Sequence, residues 1–149
     1  MSMYVVVQDN KIIKAFDGNT HTLSEIESQY PGLEIKKSSL VVPPDEAPTL
    51  LRLFKKRVVS KVSAVIDIDK NEVFADGNSE VLVTVTLFGL QPEERIKTVV
   101  VDIDGAEIIT DIDQNNKGQL IFATKIKGLH IITVEDDNVH CCPKAVIAK

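Results

Sequence analysis

The sequence predicts a mainly β protein: an antiparallel two-sheet sandwich over residues 61–149, preceded by a small α+β unit over residues 1–42. Three observations carry this expectation. Val and Ile are abundant while aromatics are only 5% with no Trp, a composition that suits pleated, half-buried strands. After residue 61, short apolar runs recur between polar turns with no helical period between them, the pattern of about seven sandwich strands. The 149 residues are 44% hydrophobic and 26% charged, enough for a sizeable core and against wholesale disorder.

Tyr4–Val7 and Ile12–Phe16 read as a hairpin, because Asp9 and Asn10 tolerate the positive φ of a tight turn. Asp17, Gly18 and Asn19 end the second strand. Thr22 with Glu25 three residues on is a capping box. It opens a helix from Leu23 to Gln29, with Leu23, Ile26 and Tyr30 on one face, that Pro31 and Gly32 stop. Residues 33–36 form a third short strand, and residues 40–42 extend that edge. Pro43, Pro44 and Pro48 make residues 43–60 a stiff connector. Within it, Thr49 to Arg57 reads as two helical turns, with Leu50, Leu51 and Phe54 on one face and Arg52, Lys55, Lys56 and Arg57 on the other. A strand running into Val58 and Val59 is the alternative.

In the sandwich, residues 62–69 are the first strand. The strongest is 80–88, where Val81, Val83, Val85 and Leu87 alternate with Leu82, Thr84, Thr86 and Phe88. Residues 98–104, 106–112, 119–126, 129–135 and 140–148 follow. Turns fall at Asp76-Gly77-Asn78, Gln91-Pro92, Asp104-Gly105, residues 115–118, Lys127-Gly128 and residues 136–138.

Three stretches of this half resemble the bacterial immunoglobulin-like domains of the invasin and intimin type. They are FADGNSEVLVTVTL at 74–87, DIDQNNKGQLIF at 111–122 and KGLHIITV at 127–134. They are similar to that family's entry into its second strand, a later turn and strand, and its penultimate strand, in the same order. The resemblance implies an immunoglobulin-like sandwich. Turn chemistry accounts for the same residues, with Gly77, Gly118 and Gly128 at tight turns. The fold hosts many functions and assigns none by itself. A single such domain behind an unrelated N-terminal segment resembles a small phage or prophage structural protein.

Charge is uneven. Residues 1–60 hold eight basic and seven acidic groups, net +1; residues 61–149 hold nine and fifteen, net −6. An acidic body repels phosphate backbones, so no nucleic-acid partner is expected. Arg52, Lys55, Lys56 and Arg57 are the local exception and the candidate partner contact; a solvated helix face is the plainer reading. The start lacks the basic region and cleavage site of a signal peptide. No apolar stretch approaches the roughly 18–20 residues of a bilayer span. The expected setting is a virion, or the host cytoplasm during assembly.

Candidate chemistry is thin. The stretches beginning at Asp67-Ile68-Asp69 and Asp111-Ile112-Asp113 start like calcium loops, but Glu72 and Asn116 stand where such a loop needs Gly, and Asn78 and Phe122 where it needs Glu. Asp67, Asp69, Asp102 and Asp104 read as outward strand positions, with a weak calcium site at a sandwich end as the alternative. His130, His140, Cys141 and Cys142 supply one short-spaced pair where zinc usually takes two. Adjacent cysteines point to opposite strand faces, so one packs inward and neither bonds the other. His130, between Leu129 and Ile131, reads as outward. His140 and Cys142 share a face but lack an oxyanion site. The expectation is a protein without cofactor, metal or catalysis. It acts as a phage or prophage tail, baseplate or capsid component that docks to other virion or assembly proteins. Self-association through the N-terminal unit and weak host-surface contact are further expectations. The alternatives are a cell-surface adhesion or carbohydrate-binding module and an intracellular assembly chaperone or regulator.

Overall fold

A computed structural model describes residues 2–149; Met1 lies outside the described residues. The chain divides into two compact units, with the boundary between Lys61 and Val62.

The N-terminal unit begins with β1 (Met3–Gln8) and β2 (Lys11–Asp17), continues through α1 (Leu23–Gln29), and returns as β3 (Glu34–Ser38). These strands form an antiparallel sheet in the order β2-β1-β3. The central strand is buried on both sides. Met3, Val5 and Val7 pack with Ile12, Ala15, Ala47 and Leu51, while Val6 packs on Phe16 and Ile26. That is why Val5, Val6 and Val7 run without polar alternation. Asp9 and Asn10 take φ of 51° and 63°, the geometry of a two-residue hairpin turn. A bulge between Val6 and Val7 leaves Ile13 opposite no residue of β1. The Thr22 hydroxyl accepts the Glu25 N–H at 3.3 Å, capping α1, whose Ile26 is fully buried.

Two expectations fail here for local reasons. Residues 40–42 do not extend β3, because the Ser38 hydroxyl donates to the Leu40 carbonyl and accepts its N–H, turning the chain. Thr49–Arg57 is not a helix. After a 3-10 turn at Pro44–Glu46, α2 (Ala47–Leu50) stops, and β4 (Leu51–Phe54) pairs antiparallel with β5 (Arg57–Ser60). The hairpin places Leu51, Leu53 and Val58 against the sheet's apolar face. A helix of two turns gains little by itself, so cross-strand burial decides the conformation. Residues 43–60 are accordingly no free connector: Ala47 and Leu51 belong to the core of this unit.

The second unit is an immunoglobulin-like β-sandwich. Its strands are β6 (Val62–Ile68), β7 (Glu72–Val73), β8 (Val81–Phe88), β9 (Thr98–Ile103), β10 (Ala106–Asp111), β11 (Lys117–Phe122), β12 (Gly128–Val134), β13 (Val139–Cys141) and β14 (Lys144–Ala148). One sheet has the order β10-β9-β12-β14-β7 and the other β11-β8-β6-β13. The inward rows meet in one core: Val62, Ala64 and Ile66; Val81, Val83, Val85 and Leu87; Val99, Val101 and Ile103; Ile132 and Val134; Val146 and Ala148. The closing segment expected as one strand is two. Cys142 and Pro143 break it, since Pro offers no ladder N–H. β13 then runs parallel to β6 in one sheet, and β14 parallel to β7 in the other.

Gly118 lies within β11, not in a turn. A Cβ there would stand 2.5 Å from the Asp111 carbonyl oxygen and 2.9 Å from Ile112 Cδ1. The backbone oxygen cannot yield as a side chain can. Gly118→Ala is expected to destabilise the protein by about 1–3 kcal/mol, read as a lower urea midpoint.

Candidate functional site

The N-terminal unit carries a basic groove of about 520 Å³ lined by Lys36, Lys37, Ser38 and Ser39 on one side and Lys56, Arg57, Val58 and Val59 on the other. The sheet register puts Lys36, opposite Val5, on the face that α2 and the hairpin cover. Lys37, opposite Tyr4, is on the α1 face. Side chains from both faces of β3 therefore border the groove, so it runs along the strand's edge. Among the described residues β3 pairs only with β1, and β5 only with β4. Each strand therefore has one open edge. Glu34 lies 3.0 Å from Lys36 Nζ and forms an ion pair with it.

The expected cluster of Arg52, Lys55, Lys56 and Arg57 is divided by the hairpin. Arg52 is not on a solvated face. It is 5% exposed, its Nε donates to the Ser60 carbonyl at 3.1 Å, and its guanidinium lies 5.5 Å from the Phe54 ring centre. Its role is to hold β4 on β5. Lys55 Nζ approaches the same ring at 5.6 Å. Lys56 and Arg57 reach the groove. Lys36 and Lys37 join them from twenty residues away, a gathering that needs the sheet register and that charge spacing along the chain did not reveal.

The hairpin tip is conformationally costly. Lys55 and Lys56 have φ of 48° and 64°, a left-handed conformation costing roughly 1–2 kcal/mol per non-glycine residue. The turns at Asp9-Asn10 and Asp104-Gly105 adopt positive φ with residues that tolerate it. Two lysines do not. Changing Lys55→Asn together with Lys56→Gly is expected to raise the unfolding free energy by about 1 kcal/mol, after the loss of one cation–π contact. A midpoint that falls would contradict this reading.

The sandwich holds two ionisable clusters. Asp102, Glu107 and Glu135 bring carboxylate oxygens within 4.8 Å of one another. Asp102 and Glu107 are direct cross-strand partners on β9 and β10. The carboxylates are exposed or half-buried, and like charges at this spacing are common on a solvated surface.

The second cluster corrects the reading of His130, which is 5% exposed and faces inward. Its Nδ1 lies 2.5 Å from Asp104 Oδ2 and its Nε2 2.8 Å from the Ile126 carbonyl oxygen. The ring is tilted against Phe122 at 5.3 Å. Asp104 Oδ1 accepts the Ile131 N–H at 2.9 Å. Both ring nitrogens face acceptors, so only the imidazolium donates to both. The Ile126 carbonyl and then Asp104 raise the His130 pKa above its usual value, against desolvation. The Ile131 N–H, followed by His130, holds Asp104 below the usual carboxylate range.

Asp113 and Asp69 accept backbone N–H groups: Asp113 Oδ1 from Asn115 and Lys117, and Asp69 Oδ1 from Leu82. They are engaged in turn and strand geometry. Cys141 packs partly against the sandwich core and Cys142 is exposed; both are free thiols.

No protein-family model matches the chain, and no curated protein matches it. Among solved structures it is similar to two crystal structures of glycosyl hydrolase family 2 members from Bacteroides cellulosilyticus. The first match has 12% identity and a TM-score of 0.47, covering 99% of this chain and 21% of that one. The second has 12% identity and a TM-score of 0.43, covering 99% and 23%. The chain thus spans less than a quarter of the length of either. No helix of the described residues is long and apolar enough to cross a membrane.

Proposed function

We propose that the protein is a non-catalytic binding protein that docks through its N-terminal unit and presents its sandwich, as a component of a phage or prophage particle. The observation that carries the docking half is the basic groove, where Lys36, Lys37, Lys56 and Arg57 converge beside two open strand edges. An open edge offers unpaired backbone donors and acceptors to another chain. Four cations favour an acidic partner, by steering encounter and fixing register. The particle setting rests on domain arrangement: a small α+β unit ahead of an immunoglobulin-like sandwich.

The test is to purify particles induced from the strain that carries the gene and quantify the chain in them by mass spectrometry. The reading expects a fixed copy number per particle. Particles that lack the chain contradict the particle setting.

A further inference from the structure

Resting on that docking role, we infer that the basic groove takes an extended acidic segment of a partner protein, which adds as a strand to the open edge of β3. Three features of the molecule lead there. The groove follows a strand edge, because Lys36 and Lys37, from opposite faces of β3, both line it. The facing wall is supplied by β5, which among the described residues pairs only with β4. A segment in the groove therefore meets backbone hydrogen-bonding groups along its length, the basis of recognition by strand addition. Charge selects the sequence: Lys36, Lys37, Lys56 and Arg57 line the groove, with Glu34 paired to Lys36.

The hairpin tip supplies a second, independent observation. Lys56 is held at φ 64° beside Lys55 at φ 48°, where Asn or Gly would fit without strain. Backbone strain kept at a surface turn is a mark of a functional constraint. Here that turn delivers Lys56 and Arg57 to the groove. A free polyanion would satisfy the cations but not the strand edge. An extended acidic peptide satisfies both.

The probe is a fluorescent peptide of about eight residues alternating Glu and Thr, long enough to cover an average strand. It is titrated into the full chain with amide shifts followed by NMR. The inference expects saturable binding that weakens as salt rises, with shifts concentrated in residues 36–39 and 56–60. A peptide of the same sequence, N-methylated at alternate residues, keeps the charge and loses half its donors; it should bind at least about tenfold more weakly. Lys37→Glu with Lys56→Glu should weaken the unmodified peptide at least about tenfold, with an unchanged fold by circular dichroism. Equal binding of the methylated peptide, equal competition by inorganic polyphosphate, or shifts located elsewhere would overturn strand addition. So would no binding at all. If the chain is nevertheless present in purified particles, the docking role stands and only this mode of docking fails.

Discussion

Ile132→Ala lowers the unfolding free energy by about 2–5 kcal/mol, the cost of deleting buried methylenes and leaving a cavity. Ile132 is fully buried on the central strand β12, opposite Ile103 of β9 and Lys144 of β14. Strands flank it on both sides and the other sheet covers it, so the site has little room to collapse. Such a loss is a large fraction of the 5–15 kcal/mol typical of a folded domain. The check is a urea titration of the full chain at neutral pH: the midpoint should fall sharply. Thr133→Ala, one residue on and turned to the other face, should stay within about 0.5 kcal/mol. Similar shifts for the two variants would mean that the inward row is wrongly assigned.

His130→Ala has the next largest effect, and it depends on pH. The substitution removes two hydrogen bonds and the ring's packing on Phe122, for a loss of about 2–3 kcal/mol at pH 6. The folded-state pKa of His130 lies above its ordinary 6.5. Its protonation therefore contributes fully below pH 6.5, and the contribution is lost as pH rises through the folded-state value. Asp104 is shifted the other way, below 3.8. Its contribution is present above 3.8 and lost as pH falls through its folded-state value. Wild-type stability attributable to the pair is greatest between these limits. The gap between wild type and His130→Ala should narrow as pH is raised from 6 to 8. A gap that is constant across that range would show that folding leaves the ring's pKa unshifted, and a gap that widens would show that the ring is neutral when folded. Deprotonation leaves one ring nitrogen facing an oxygen without a hydrogen between them. Amide protection of residues 123–127, which carry the Ile126 carbonyl, should fall over the same range relative to the intrinsic exchange rate at each pH.

Much of the fold was legible because short-range chemistry and long-range packing agree. Thr22 as the N-cap of α1, the Asp9-Asn10 turn, and the alternation of Val81, Val83, Val85 and Leu87 each have one physically reasonable outcome, and each is found. The failures are places where two outcomes compete locally and a distant partner decides. Leu51, Leu53 and Val58 suit a helix face or a hairpin face equally; the apolar side of β1 and β2 settles it. His130 sits in a run that is apolar at both parities. Thr133 outward with Ile132 and Val134 inward fixes the parity and turns His130 to the interior, with Leu129 and Ile131 outward. That signal was in the sequence, and the flanking Leu and Ile obscured it. Half of the basic site was visible as the charge run at residues 52–57. The rest was not, because Lys36 and Lys37 reach Lys56 and Arg57 only through strand placement, while Arg52 is withdrawn to bind Ser60.

The most direct measurement of the docking role compares particles from a strain expressing the wild-type chain with particles from one expressing Lys37→Glu and Lys56→Glu. Both residues line the groove, and both are exposed enough for the change to leave the fold intact. The account predicts that purified particles retain the wild-type chain and lose the variant, with equal amounts of each folded in the lysate. A variant retained at the wild-type copy number would contradict it.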